Sequence, residues 1–575
     1  MKNMKKLAAL IAVLSLTACS APADSGGSEA ISESGQTAEA TQEISVPSQP
    51  ETQEHTSEQE SGSEPQTEQE PQDTQEYNDD GYCAVLTSVS AVTAGGHTLE
   101  YTIDEQSGCA YTSVTYSTDY VPDSVLKSST LSAQAENGVC RFGSSEGSAA
   151  ADLTEAQTLT VEDVNGAKKT YTIITQRTEG LLPIVNITLD DGKSVTDISR
   201  TEHIGMSVSI DISKSPEYPS GLAEVKGKIR GRGNSTWKWE KKPYKIKLEE
   251  KAEVLGLAAN KDWILLSNYA DKSLMRDTVA YDMSRTLDNL GWVPTQYPVD
   301  LFINGEYQGV YSIGEHMEAA KSRVDITENP DGGECGYLLE VGGSDDNVDV
   351  EGVDYFHVDS DMLRYITFRE PEPNELTDSQ RQAIIDCFNA ADNAIVNGGD
   401  LAEYIDIDSF CDWVIIQELT NNTDSAFRRS CYFTKEVGEK LKMGPVWDFD
   451  LAFGNLVVDN QYYNTWTIIG SDDDEAYVTR SWGNYLMQNE QFRSRLRERW
   501  GEVRDRLLSA AMTSIDHYAE KIYPSQQENF NVWKIWDQKP GYSSWANYNA
   551  NTYELQVQYL KDFLTKRAAW IDDNI

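Results

Sequence analysis

Lys226 to Leu248 reads KGKIRGRGNSTWKWEKKPYKIKL, and the way this stretch folds decides how the rest of the chain must be arranged. It holds nine Lys or Arg residues in a chain of formal net charge -46. The alternation Tyr244-Lys245-Ile246-Lys247-Leu248 predicts a strand with one apolar and one cationic face. Ala223 to Ile229 predicts the outgoing strand, and Gly231 and Gly233 mark the turn region between them. In such a hairpin Lys245 and Lys247 share one face, where Arg230 and Arg232 can also point. Glycine lets backbone amides approach a ligand closely, and cations behind them suit a phosphate group. A Gly-x-Gly pair alone is a weak signal, and a solvated basic hairpin is its plain alternative.

Around this hairpin the pattern predicts strands first and helices afterwards. Ile184 to Ile187 and Met206 to Ile210 read as strands, and Leu274 to Leu287 as a helix. Val299 to Ile303 and Tyr307 to Ile313 flank Asn304-Gly305, a hairpin signal. From Thr377 onward the pattern turns mostly helical: Ser379–Asn397, Ile407–Leu419, Glu490–Ser509 and Tyr553–Ile575. The expected fold class is α+β, with one large domain over 182–575 and a cleft between its two parts.

Within that domain the acidic counterpart of the hairpin is Trp447-Asp448-Phe449-Asp450. Two aspartates two apart project the same way if the segment is extended, giving hard oxygen ligands for a cation such as Mg²⁺. Either Asp448 or Asp450, or both, could serve. Trp447 or Trp237 could stack on a purine, although core packing suits either indole. Asn421-Asn422-Thr423-Asp424 follows the Ile407–Leu419 segment, and an Asx-turn is the plain reading of Asp424. Arg428 and Arg429 suit a phosphate or a pair of surface acids equally.

The N-terminal part carries location rather than chemistry. Residues 1–19 comprise a short basic start, an apolar run and Leu16-Thr17-Ala18-Cys19, a secretory signal too short to span a bilayer. A Cys after small residues resembles a bacterial lipobox, which implies that Cys19 is lipidated and that the protein is an extracytoplasmic lipoprotein held at the cell membrane. Residues 20–80 are rich in Ser, Thr, Glu, Gln and Pro, and no Lys or Arg occurs between Lys6 and Lys127. Such an acidic segment buries too little apolar surface to fold and is expected to be a disordered tether. Short alternating runs over 81–180, including Tyr82–Leu86, His97–Ile103 and Lys169–Ile174, predict a small β-sandwich. Cys83, Cys109 and Cys140 make one disulfide plausible in an exported protein. Most of the remaining cysteines, Cys335, Cys387, Cys411 and Cys431, are expected to act as small buried hydrophobes.

Taken in order, RGRGNSTW, PYKIKL, NKDWILLSNYADKSLMRD, FINGEYQGVYSIGEHME, QELTNNTDSAFRRSCYF and GPVWDFDLAFGN resemble the CotH kinase family, atypical kinases named after a spore-coat protein. The resemblance implies a two-lobed, protein-kinase-like domain that binds ATP with Mg²⁺ or Mn²⁺ in the interlobe cleft. It also implies transfer of the terminal phosphoryl group to Ser or Thr of exported proteins. Arg230, Gly231, Arg232, Gly233 and Asn234 would then cradle phosphates, with Lys245 as the phosphate lysine and Lys247 as runner-up. Asp448 as first choice and Asp450 as second would hold the metal with Asn422, and Asp424 would be the base or hydroxyl orienter. Asp271, Asp277, Glu315 and Glu318 are all open as the acid that orients the lysine, and Glu315 could instead belong to the adenine-binding hinge.

The chain departs from common kinases in lacking a full Gly-x-Gly-x-x-Gly loop and a His-Arg-Asp string, and Asp-Phe-Asp replaces Asp-Phe-Gly. Other chemistries fit poorly. The six histidines show no zinc-like spacing, and no Gly-x-Ser-x-Gly elbow is present. Global acidity argues against nucleic acid as partner. It favours a basic acceptor protein if charge steers the encounter. The competing expectation is a non-catalytic, pseudokinase-like surface lipoprotein that binds protein or cell-wall carbohydrate.

Overall fold

The computed structural model describes residues 82–96, 98–116, 123–329, 331–342, 350–456, 464–469, 481–539 and 549–575. The predicted leader, Cys19 and the 20–80 tether lie outside the described residues. Among the described residues no helix is long and apolar enough to cross a membrane.

Alternating short strands at the start of the described chain bury one side each. They form a four-stranded sheet in the order β2-β1-β5-β8 and a six-stranded sheet in the order β3-β4-β10-β9-β6-β7. Their ranges are β1 Val85–Val92, β2 Thr98–Glu100, β3 Thr102–Asp104, β4 Cys109–Tyr116, β5 Ser129–Glu136, β6 Gly138–Phe142, β7 Ser145–Glu146, β8 Ser148–Ala151, β9 Gln157–Asp163 and β10 Lys168–Glu179. Leu99, Leu131, Leu159, Val161 and Tyr171 fill the common core, which also takes in Ile184 and Phe302 from the next unit. The plausible disulfide is not formed. All seven described cysteines are free thiols, and Cys140, Cys335, Cys411 and Cys431 are buried.

The next seven strands close into a barrel: β11 Ile184–Leu189, β12 Ile204–Asp211, β13 Leu222–Gly231, β14 Tyr244–Val254, β15 Leu257–Leu266, β16 Gln296–Ile303 and β17 Glu306–Glu315. Their order is β11-β12-β13-β14-β15-β17-β16, and a parallel pairing of Ile184 with Asp300 shuts the ring. Closure removes both sheet edges. Val185, Val208, Ile229, Ile246, Trp263, Leu301 and Ile313 fill the interior. Asn304 and Gly305 both have positive φ, 53° and 80°, as the expected two-residue hairpin turn requires.

The C-terminal part is less purely helical than its sequence suggests. A five-stranded sheet in the order β19-β20-β18-β21-β22 runs through it, made of β18 Tyr337–Val341, β19 Tyr355–Phe356, β20 Ile366–Glu370, β21 Cys431–Lys435 and β22 Lys442–Met443. These strands are short, and β18 is buried at every residue, so no alternation betrays it. Helices Asp378–Asn397, Ile407–Thr420, Trp482–Gln488, Glu490–Val532 and Tyr553–Asn574 surround the sheet. Thr377 and Gln380 cap the first of these reciprocally. The 43-residue Glu490–Val532 helix runs well past the expected end at Ser509, through Pro524. Its buried stripe continues as Ala511, Ile515, Tyr518 and Ile522. Ile264 and Val310, on the outer face of the barrel, join the core of this C-terminal part.

Candidate active site

Strand register builds the cationic half. Arg230 stands opposite Lys245 and Lys228 opposite Lys247, while Ile229, Ile246 and Leu248 point into the barrel. Like charges opposed across a ladder repel each other. Asp262 on β15, paired in register with Lys247, offsets that repulsion. Its Oδ1 lies 3.0 Å from Lys245 Nζ and its Oδ2 3.6 Å from Lys247 Nζ. Lys245 is the more enclosed of the two, with 18% of its side chain exposed against 49% for Lys247. Buried Arg323 braces the same corner. It donates to the carbonyls of Asp262 and His316 at 2.6 and 2.9 Å and to Glu318 at 2.7 Å.

The acid that holds the lysines is therefore Asp262, which the sequence reading missed because β15 was not recognised as a strand. The four acids considered for that role are engaged elsewhere. Asp271 pairs with Arg276, Asp277 accepts the Phe449 N–H at 2.6 Å, and Glu318 pairs with Arg323. Glu315 accepts the Thr295 N–H at 2.9 Å, so it braces the barrel rim.

The turn between the strands corrects a second expectation. Gly231 offers no free amide, because its N–H donates to Ser199 O at 2.7 Å, and that of Arg232 donates to Pro243 O at 3.1 Å. Glycine is required at 231 for another reason: a Cβ there would sit 2.3 Å from the Trp237 ring. Trp237 packs against the barrel core, with the Lys242 ammonium 5.3 Å from its ring centre, which leaves it to structure and not to a purine. Gly233 has a φ of 82° and, among the described residues, no backbone partner for its amide. Asn234 is exposed. Arg230 donates to Arg200 O at 2.9 Å. Among the described residues half-buried Arg232 makes no ion pair within 4 Å; its burial lowers its affinity for a proton and the charge of Asp448 restores part of it. The charges of Asp448 and Asp277 thus reach Arg232 from the acidic half.

The acidic half is built from irregular backbone. The Ile407–Thr420 helix ends on Asn421, whose φ is 50°. Among the described residues, six of the thirteen non-glycine residues with positive φ fall between Asn421 and Phe453: Asn421, Ala426, Phe427, Ser430, Asp448 and Phe453. Such residues cost about 1 kcal/mol or more each and cluster where geometry serves a ligand. Asp448, at φ 67°, is one of them, so the Asp-x-Asp segment is not the extended strand expected. Instead a web of contacts sets Asp448. Its carboxylate accepts from Ser430 Oγ at 3.0 Å, its carbonyl accepts from Asn422 Nδ2 at 2.9 Å, and its N–H donates to Tyr281 Oη at 3.4 Å.

Carboxylates crowd this spot. Burial, then the charge of Asp424, pushes Asp448 up to about 6. Burial, then Asp448, pushes Asp277 up to about 7. Asp450 is raised well above the ordinary carboxylate range by burial and by Asp448, Asp277 and Asp424. Asp424 is partly exposed, with Arg429 3.8 Å away, and Arg428 donates to Thr423 O at 2.5 Å. Among the described residues no three acidic, His or Cys side chains converge as a ready metal cage. The donor set nonetheless suits a hard cation that keeps part of its water. The Asn422 Oδ1 is buried beside Asp448 and accepts no hydrogen bond. Trp447, 9% exposed, packs in the core 6.2 Å from Tyr281, so its face is not open to a purine.

The profile of the CotH kinase protein family matches residues 229–571. The chain belongs to the CotH kinase family. No curated protein matches it. Among solved structures it is similar to one described as a secreted protein of Bacteroides fragilis, at 16% identity and a TM-score of 0.13, covering 16% of this chain and 95% of that one. The CotH match begins inside β13, so β11, β12 and most of β13 precede it although the barrel needs all seven strands.

Proposed function

We propose that this CotH family member is an ATP- and divalent-metal-dependent protein kinase that phosphorylates Ser or Thr of exported proteins from a lipid anchor on Cys19. The barrel and the C-terminal half would act as its two lobes. One observation carries the reading: Arg232, half-buried and without an ion-pair partner among the described residues, lies within electrostatic reach of both Asp448 and Asp277. A hairpin cation within reach of a surplus of carboxylate supports the reading, because a phosphate–metal pair would complete such an arrangement.

In this reading Lys245, held by Asp262, and Arg232 bind phosphate oxygens. Asp448 and the Asn422 amide oxygen hold the cation, with Asp450 and Asp277 adding negative field behind them. Bound there, Mg²⁺ or Mn²⁺ would neutralise charge on the transferring group. Asp424, which is partly exposed, orients the acceptor hydroxyl. The acceptor oxygen bonds to the γ-phosphorus as the bond to the bridging oxygen breaks, ADP departs, and the hydroxyl proton passes to Asp424. Phosphoryl transfer leans on alignment and charge more than on covalent help, so a loop-held acid and a strand-held lysine suffice.

Labelled γ-phosphate incorporation into a basic Ser-rich protein tests the proposal, with wild type set against Asp424→Ala. Transfer that disappears in the variant supports it. A wild type that binds ATP–Mg²⁺ by thermal shift but labels no acceptor would favour a binding module instead.

A further inference from the structure

Lys241 lies inside the turn of the cationic hairpin and is 1% exposed. Its Nζ donates to Val310 O at 2.6 Å and to Asn529 Oδ1 at 2.8 Å, and it stands 4.7 Å from the centre of the Tyr311 ring. The same Asn529 Oδ1 accepts the Val310 N–H at 3.0 Å. One amide oxygen near the end of the Glu490–Val532 helix therefore holds a barrel strand and the hairpin turn together. Nearby bonds tie the same surfaces. Ser525 Oγ donates to Asp300 at 2.7 Å, Trp533 Nε1 donates to Gln308 O at 2.8 Å, and Tyr311 Oη donates to Lys242 O at 3.0 Å. Gly309 leaves room for this knot: a Cβ there would meet Asn529 Oδ1 at 2.5 Å and Lys241 Cε at 3.1 Å.

A buried ammonium is expensive unless it is fully partnered. Two oxygens and an aromatic face satisfy Lys241, while burial drives its affinity for a proton well down and only Asp300 opposes that. What the anchor fixes is the turn whose two ends are joined by the Arg232 N–H to Pro243 O bond, and which carries Arg232 to the acids.

We propose that Lys241 and Asn529 are positioning residues: a clasp from the C-terminal helix that sets the phosphate-binding turn, and through it Arg232, at its distance from Asp448. The proposal rests on the kinase reading for its catalytic consequence but not for its structural one. The clasp keeps the turn in one place before nucleotide arrives, which lowers the ordering cost of binding.

The test uses the full chain and two readouts. Lys241→Met keeps the Asn529–Val310 bond but frees the turn. Amide hydrogen exchange at Arg232, Lys238 and Trp239 is expected to quicken about tenfold or more, with strand amides of β14 unchanged. The KM for ATP is expected to rise about fivefold while kcat stays within about twofold. If Lys241→Met does not fold, Asn529→Asp, which retains the acceptor, is compared with Asn529→Leu, which removes it. Wild-type exchange and KM in Asn529→Asp, with the loosened pattern in Asn529→Leu, support the clasp. Unchanged exchange at the turn in Lys241→Met, or in Asn529→Leu, overturns it. A wild type that shows no ATP dependence at all would sink the kinase reading alone, and the exchange arm would still decide the clasp.

Discussion

The two halves of the candidate site are built by opposite means. The cations sit on β13 and β14, where regular register dictates which side chains share a face and Asp262 pins them. Asp424, Asp448 and Asp450 sit on irregular backbone, left-handed at Asp448, where side-chain and backbone bonds set the geometry, and Asp277 backs them from the helix Arg276–Ser284. Strand-borne groups are rigid by default, whereas loop-borne groups are placed at the expense of strain and mutual repulsion. A bound cation would relieve the repulsion, so the acidic half should respond to ligand far more than the basic half.

The largest expected effect tests that asymmetry directly. Asp448→Asn should abolish the thermal shift with ATP and Mg²⁺ and lower phosphoryl transfer on the order of 10²–10³-fold. Transfer within a few-fold of wild type would remove Asp448 from the site. On the cationic side the enclosed lysine should matter more than the outer one. Lys245→Met should cost about 10–100-fold in kcat/KM and Lys247→Met no more than about threefold, read from initial rates. The reverse ranking would move the phosphate to the exposed lysine.

A smaller effect concerns stability and carries a sign. Asp448 and Asp277 are raised to about 6 and about 7, so the folded state binds their protons more tightly than the unfolded chain does. Stability from these groups is therefore present at low pH and lost as pH rises through the folded values. Without metal, the melting temperature should fall between pH 5 and 8 beyond what other groups cause. Asp450→Asn should raise it at pH 7.5 by a few degrees, about 1 kcal/mol, and scarcely at pH 4.5. Equal effects at both values would mean that the crowding is not electrostatic. The smallest change expected is Trp447→Phe. It should cost roughly 1 kcal/mol of stability through lost packing and leave the KM for ATP within about twofold. A large rise in KM would return this indole to the nucleotide.

How much was legible follows the same division. Alternation around Lys245 and Lys247 gave the shared cationic face, and Asn304-Gly305 gave its hairpin, because strand and turn chemistry are local. Barrel closure was hidden, since the parallel pairing of β11 with β16 joins segments more than a hundred residues apart. Asp262 went unnoticed for want of its strand. Gly231 looked like a phosphate-binding glycine but is small because Trp237 lies over it. The acidic motifs were found as strings, yet their geometry was misjudged: left-handed φ at Asp448 has no signature in Trp-Asp-Phe-Asp. Lys241 was counted among the basic residues without any sign that a helix almost three hundred positions away would bury it.

The barrel's closure has a practical corollary for anyone trimming the gene. A fragment begun at Ile229, where the family match starts, would delete two staves and most of a third from a seven-stave ring. The wound would expose the oily lumen and leave two raw margins ready to stick to other chains. Because Ile184 and Phe302 also seal the upstream sheets, the safe cut lies ahead of Val85.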